Sequence, residues 1–306
     1  MLESMLTVGN QVAAMYLIMA VGFILVKLKT VTNEGASQLT KIVLNIVTPC
    51  LIINAFLSAF SKEMLKSLAL SFILSAAVHI AGILIPKLFF GKCDITDKSV
   101  LRMACMYSNG GFMGLPIISA VLGAKGVIYG SVFIVVFNAF IWTHGVATVK
   151  GEKAGVKLKA FLNPGIIGIS VSLLLFFLDI KLPSFTLNAI SLIAGLNTPL
   201  AMIVTGAYLA FSNPLKAFAD ARVYLVCLFK LAVMPAILVG LALLLGADST
   251  VIRALSISAG APTASMTLLF AANYNKNSAL AGGIVAVTTL LCVATLPIVV
   301  YLTSLL

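Results

Sequence analysis

Ten stretches of this chain are apolar over about the 20 residues that a helix needs to cross the hydrocarbon core of a bilayer. They run over 7–28, 36–59, 64–89, 97–123, 126–149, 162–180, 184–211, 220–246, 249–272 and 277–303. Inside a membrane every backbone N–H and C=O must find a partner within the protein, so each stretch is expected to be helical. The expected fold class is an all-α integral membrane protein of ten transmembrane helices. Composition agrees: 61% of the 306 residues are hydrophobic and 9% are charged, whereas a water-soluble domain carries about a quarter charged residues. The first eleven residues contain no Lys or Arg, so the first stretch is expected to remain as a helix rather than serve as a signal peptide.

Two of the stretches cannot hold an uninterrupted helix. The middle of 97–123 reads Ser108-Asn109-Gly110-Gly111-Phe112-Met113-Gly114-Leu115-Pro116, and 249–272 contains Gly260-Ala261-Pro262-Thr263. Glycine and proline at these densities are expected to break both spans. The two breaks lie 151 residues apart, as measured from Gly111 to Pro262, and Arg102 and Arg253 share that separation. Thr48-Pro49 and Thr198-Pro199 are separated by 150 residues, and Pro86 and Pro235 by 149. Pro49, Pro116, Pro199 and Pro262 are the prolines expected to distort their helices. Broken helices at corresponding places in two halves mark a secondary transporter whose substrate site lies near the bilayer midplane.

The charged segment from Lys150 to Lys159 separates five spans from five. The expected organisation is a first five-helix repeat over 1–149, a cytoplasmic linker over 150–161 and a second repeat over 162–306. Because five is odd, the second repeat enters the membrane in the opposite sense, giving an inverted pair. With both termini extracytoplasmic, fourteen loop Lys and Arg residues fall on the cytoplasmic side and five on the other. The positive-inside rule selects that orientation, in a multi-pass protein of the plasma (inner) membrane. The net charge of +11 follows from this topology, and no nucleic acid partner is expected.

Where two broken helices cross, four half-helix ends meet inside the protein. Their N-terminal ends favour anions and their C-terminal ends cations. Candidate substrate-binding groups at the breaks are Asn109, Gly110, Gly111, Ala261, Pro262 and Thr263, joined by Asn45, Thr48 and Thr198 beside the prolines of the second and seventh spans. Ser108, Ser258 and Ser265 lie at the same places; the alternative role for all these polar side chains is to cap free backbone. Ionisable groups within spans are costly and mark function by default. Lys230, His79 and His144 are therefore candidates for coupling or for supplying charge, and Lys230 and His79 are again 151 residues apart. The competing readings are a snorkelling lysine and histidines hydrogen-bonded for structure alone.

The nine acidic residues all fall in loops or at span ends. A carrier that binds a cation needs a carboxylate within the membrane, so an anionic substrate fits better than cation exchange. The chain lacks Gly-x-Ser-x-Gly, His-Glu-x-x-His and an intramembrane Asp pair, so no enzyme activity is expected. The five cysteines are scattered, with no Cys-x-x-Cys; neither a metal site nor a cofactor is expected.

Four segments, Ser-Asn-Gly-Gly-Phe-Met-Gly-Leu-Pro at 108–116, Asn-Pro-Gly at 163–165, Thr-Pro-Leu-Ala-Met-Ile-Val-Thr-Gly-Ala-Tyr-Leu-Ala at 198–210 and Ala-Pro-Thr-Ala-Ser-Met at 261–266, resemble the auxin efflux carrier family. The likeness is to its short prokaryotic form, often described as malate or malonate permeases, and it spans the whole chain. It implies two inverted five-helix repeats, a scaffold domain and a mobile transport domain, with substrate bound where helices four and nine cross. The resulting expectation is alternating-access transport of a small organic anion such as a dicarboxylate; the alternative is a sodium-coupled organic-anion symporter. Expected partners are that anion and the lipid bilayer, with a homodimer left open.

Overall fold

The computed structural model describes residues 2–91, 93–150, 164–211 and 217–306. Among these the chain is all-helical. Helices α1 (Leu2–Lys27), α2 (Asn33–Ala59), α3 (Met64–Phe89) and α4 (Ile95–Met106) lead to the first break. Helix α5 (Gly110–Lys150) follows, then α6 (Pro164–Phe177), α7 (Ser184–Gly195) and α8 (Asn197–Phe211). The last group is α9 (Ala221–Leu244), α10 (Ser249–Gly260), α11 (Met266–Asn273) and α12 (Ser278–Ser304). The 150–161 linker, apart from Lys150, lies outside the described residues.

Six helical stretches are long and apolar enough to cross a membrane: Asn33–Ala59, Met64–Phe89, Gly110–Lys150, Ser184–Phe211, Ala221–Leu244 and Ser278–Ser304. Ala13–Lys27 and Ile166–Phe177 are shorter apolar helices. The chain is thus a multi-pass membrane protein. Where the sequence suggested single spans over 97–123 and 249–272, each is two helical pieces joined by extended backbone.

Local chemistry sets where these helices start and bend. Asp248 caps α10 by accepting from Val251 N at 3.0 Å, Asn277 caps α12 through Leu280 N at 2.9 Å, and Asp220 caps α9 through Arg222 N at 2.9 Å. π-helical turns at Val43–Val47, Gly110–Gly114 and Phe229–Val233 each run directly into an X-Pro pair: Thr48-Pro49, Leu115-Pro116 and Met234-Pro235. Proline offers no N–H to the carbonyl four residues back, and the wider turn absorbs that gap without ending the helix. Pro49 and Pro116 therefore sit in helices that continue through them, and Pro199 lies in the first turn of α8. Gly123 bends α5 at φ +61°, a conformation that glycine adopts without a Cβ penalty.

Packing sorts the helices into two groups. Helices α1 and α8 pack backbone to backbone, since a Cβ on Gly22 would overlap Ile203 O and one on Gly206 would overlap Met19 O. Helix α2 lies against α6, α7 and α8. In the second group α10 is surrounded by α3, α5, α9 and α12, with α4 between α3, α9 and α12. The groups meet mainly where α2 faces α5, where α8 touches the turn at Gly110–Gly114 and where α1 lies against α12.

Candidate functional site

At the first break the helix ends at Met106, and Tyr107 turns extended at φ −90°, ψ 111°. At the second, Ala261 is extended at φ −62°, ψ 151°. The two segments run antiparallel and pair at Ser108 and Thr263. Asn109 N donates to Pro262 O at 2.7 Å, and Ala264 N donates to Tyr107 O at 2.8 Å. Each break thus satisfies part of the other's backbone, as buried unwound chain requires. The glycines do not make the break; Gly110, Gly111 and Gly114 already belong to the turn that opens α5.

The four half-helix ends are held differently. The C-terminal end of α4 is closed by Thr263 Oγ1 donating to Ala104 O at 3.0 Å. That of α10 is closed by the Lys230 ammonium, whose Nζ donates to Ala259 O at 2.7 Å and also to Ser108 Oγ. Ser108 Oγ itself donates to Ala259 O at 3.2 Å. Lys230 is 0% exposed, so its charge is spent against the negative end of a helix dipole. At the N-terminal ends, Thr263 N donates to Thr288 Oγ1 at 3.2 Å and Thr267 N to Ala264 O at 2.9 Å. The N–H groups of Gly110, Gly111 and Phe112 have no backbone acceptor among the described residues. Asn109 O accepts from Met113 N at 3.0 Å, while the Asn109 side-chain amide makes no hydrogen bond among the described residues. A Cβ at Gly111 would meet only Ile134 Cδ1, at 3.9 Å, so space remains in front of these groups.

The other candidates fall at varying distances from the crossing. Thr48 Oγ1 approaches Asn197 Oδ1 at 3.5 Å, joining the proline motifs of α2 and α8, and Asn197 Nδ2 is buried without a partner. Asn45 and Pro199 are exposed, and Thr198 is half-buried. His144 lies 3.3 Å from Tyr107 Oη, which donates to Phe140 O at 2.9 Å, so it touches the first break indirectly. His79 stands behind α5, stacked on Phe140 with ring centroids 5.3 Å apart; its Nδ1 is 2.7 Å from Ser75 O and its Nε2 has no partner. Ser258 Oγ bonds back to Ala254 O at 3.1 Å, and Ser265 provides no side-chain cap. Sequence reasoning missed Tyr107 and Thr288, and it noted the Asn197 amide without placing it among the candidate binding groups. Asn197 was visible beside Thr198-Pro199, whereas nothing in the sequence singled out Thr288 within a uniformly apolar helix.

A family model described as membrane transport protein matches residues 7–300. The chain belongs to this family, the auxin efflux carriers. Among its relatives is an uncharacterized transporter of Methanocaldococcus jannaschii, 26% identical over 268 residues, which cover 84% of this chain and 86% of that protein. The protein is thus a membrane transporter by family, and the two breaks cross within its buried interior.

Proposed function

We propose that this auxin efflux carrier family member is a secondary transporter of a small organic anion such as a dicarboxylate, working by alternating access. The observation that carries the reading is the unfilled N-terminal end at Gly110–Phe112, with the Asn109 amide beside it and space before Gly111. Such an end attracts a carboxylate through oriented N–H groups and the helix dipole. A sodium-coupled mechanism is less supported, because the α10 carbonyl that a bound cation would use already accepts from Lys230.

The two helix groups would act as scaffold and moving body, arranged as two inverted five-helix repeats. A reciprocal pair of aspartates supports the repeat. Asp97 at the start of α4 accepts from Arg222 of α9 and from Asn277 at the start of α12, each at 2.8 Å. Asp248, 151 residues later at the start of α10, accepts from Ser67 of α3 at 2.8 Å. Each aspartate thus fastens the broken helix of one half to helices of the other half, at opposite ends of the crossing.

The test is uptake of a panel of radiolabelled mono- and dicarboxylates into proteoliposomes, with and without imposed proton and sodium gradients. Saturable uptake of a dicarboxylate without sodium is expected. Strict sodium dependence would favour the symporter, and no uptake of any carboxylate would overturn the reading.

A further inference from the structure

Two arginines stand apart from everything around them. Residues 99–110, covering the inner part of α4 and the first break, are buried except Arg102. Residues 251–264, covering α10 and the start of the second break, are buried except Arg253. In both the Nε is buried without a hydrogen-bond partner, and among the described residues neither guanidinium forms an ion pair. The remaining arginine, Arg222, is fully committed, bonded to Asp97 at 2.8 Å and Asp220 at 2.7 Å. Among the described residues, carboxylates therefore stand where an arginine fastens helices, and none pairs with Arg102 or Arg253.

Their positions are mirrored. Helices α4 and α10 enter the crossing from opposite ends, as the antiparallel Ser108–Thr263 pairing requires. At 1.5 Å rise per residue Arg102 lies about 8 Å before Tyr107, and Arg253 about 12 Å before Ala261. A guanidinium cannot discharge itself, and facing hydrocarbon unpaired would be costly. Each guanidinium therefore needs water or an anion at the one uncovered point of its half-helix.

We propose that Arg102 and Arg253 are a mirrored pair of anion-docking sites, one on each side of the crossing, that hold a substrate carboxylate on its way to and from Asn109. The proposal rests on the organic-anion reading above and adds to it the path by which the anion arrives. A guanidinium fork matches a carboxylate bidentately, and an unpaired one raises the local concentration of anions. Docking outside the crossing also explains how a site with neutral donors at its centre selects charged cargo.

The experiment combines labelling with transport, using malonate as the probe. In sealed, uniformly oriented proteoliposomes an impermeant arginine-directed glyoxal should modify one of the two arginines, and both once detergent opens the bilayer, while modification of Arg222, whose side chain is 40% exposed, should not respond to malonate. Malonate should protect both, and neutral malonamide neither. Arg102→Gln and Arg253→Gln should each lower kcat/KM for malonate by about tenfold, since a charge-assisted bond is lost. The loss should shrink at high salt, and the Arg→Lys variants should recover most of it. If native protein transports malonate but the arginines are unprotected by it, or the glutamine variants keep native kcat/KM, the docking sites are refuted and the carrier reading stands. If native protein transports no carboxylate, both fall together.

Discussion

Asn109 sits where the backbone passes from extended to helical, with its N–H bonded to Pro262 O and its C=O accepting from Met113 N. Its main chain belongs to the fold, and its side-chain amide, unbonded among the described residues, is the group proposed to hold the ligand. Neutral hydrogen bonds contribute about 1 kcal/mol each, and a helix N-terminus adds roughly 0.3–2 kcal/mol for an anion. Asn109→Ala is expected to raise the dissociation constant of a transported carboxylate by about tenfold, read by isothermal titration on purified, folded protein. Native affinity in that variant would move the site away from the crossing. Gly111→Val places methyl groups into the open space before the free N–H groups, with Ile134 Cδ1 as the nearest atom to its Cβ. It should fold normally and lose binding, so normal binding would show that the anion does not approach that backbone. Lys230→Met removes the donor to Ala259 O and Ser108 Oγ while keeping similar volume. Transport should fall although the variant purifies as a monodisperse protein, and unchanged kcat and KM would confine Lys230 to structure.

At the scale of elements, the firmest joint is between α1 and α8, where the absence of side chains at Gly22 and Gly206 brings backbone to backbone. Without a hydrophobic force between helices in lipid, such close contact supplies the association. Gly206→Val would push the helices apart against Met19 O, with an expected cost of about 1–3 kcal/mol or more. A thermal-denaturation midpoint equal to that of the native protein would contradict the joint. The π turns before Thr48-Pro49, Leu115-Pro116 and Met234-Pro235 act differently, letting proline occupy a long helix without cutting it. This is why these prolines mark bends and first turns, whereas Pro262 lies in the extended chain of the second break.

For the whole molecule, two helix groups meeting along α2–α5 and α8–Gly110 give a seam across which one body could move against the other. The Asp97 and Asp248 contacts lie within the second group, so they would travel with it. We propose that both termini are extracytoplasmic, on the fourteen-to-five split of basic residues. Gly155→Cys in a cysteine-depleted background should resist a membrane-impermeant maleimide in intact cells and react after lysis. Ready labelling in intact cells would reverse the proposed topology.

By itself the sequence determined the membrane class, the helical stretches and the place of both broken spans, because apolar length and glycine or proline density act locally. It also carried the 151-residue echo that links Arg102 with Arg253 and His79 with Lys230. What it could not determine was which groups the fold consumes. Lys230 and His79 occupy corresponding positions, yet the first closes the end of α10 and the second stacks against Phe140 behind α5. Thr48 was legible, but its partner Asn197 lies 149 residues away, and no local pattern reports a contact over that separation. The tertiary structure alone decided that Tyr107 and Ala264, and Asn109 and Pro262, satisfy one another's backbone. That mutual satisfaction leaves the Asn109 amide and the N–H groups at Gly110–Phe112 without a partner among the described residues, since whether a polar group is spent or spare depends on what long-range packing places within about 3 Å of it.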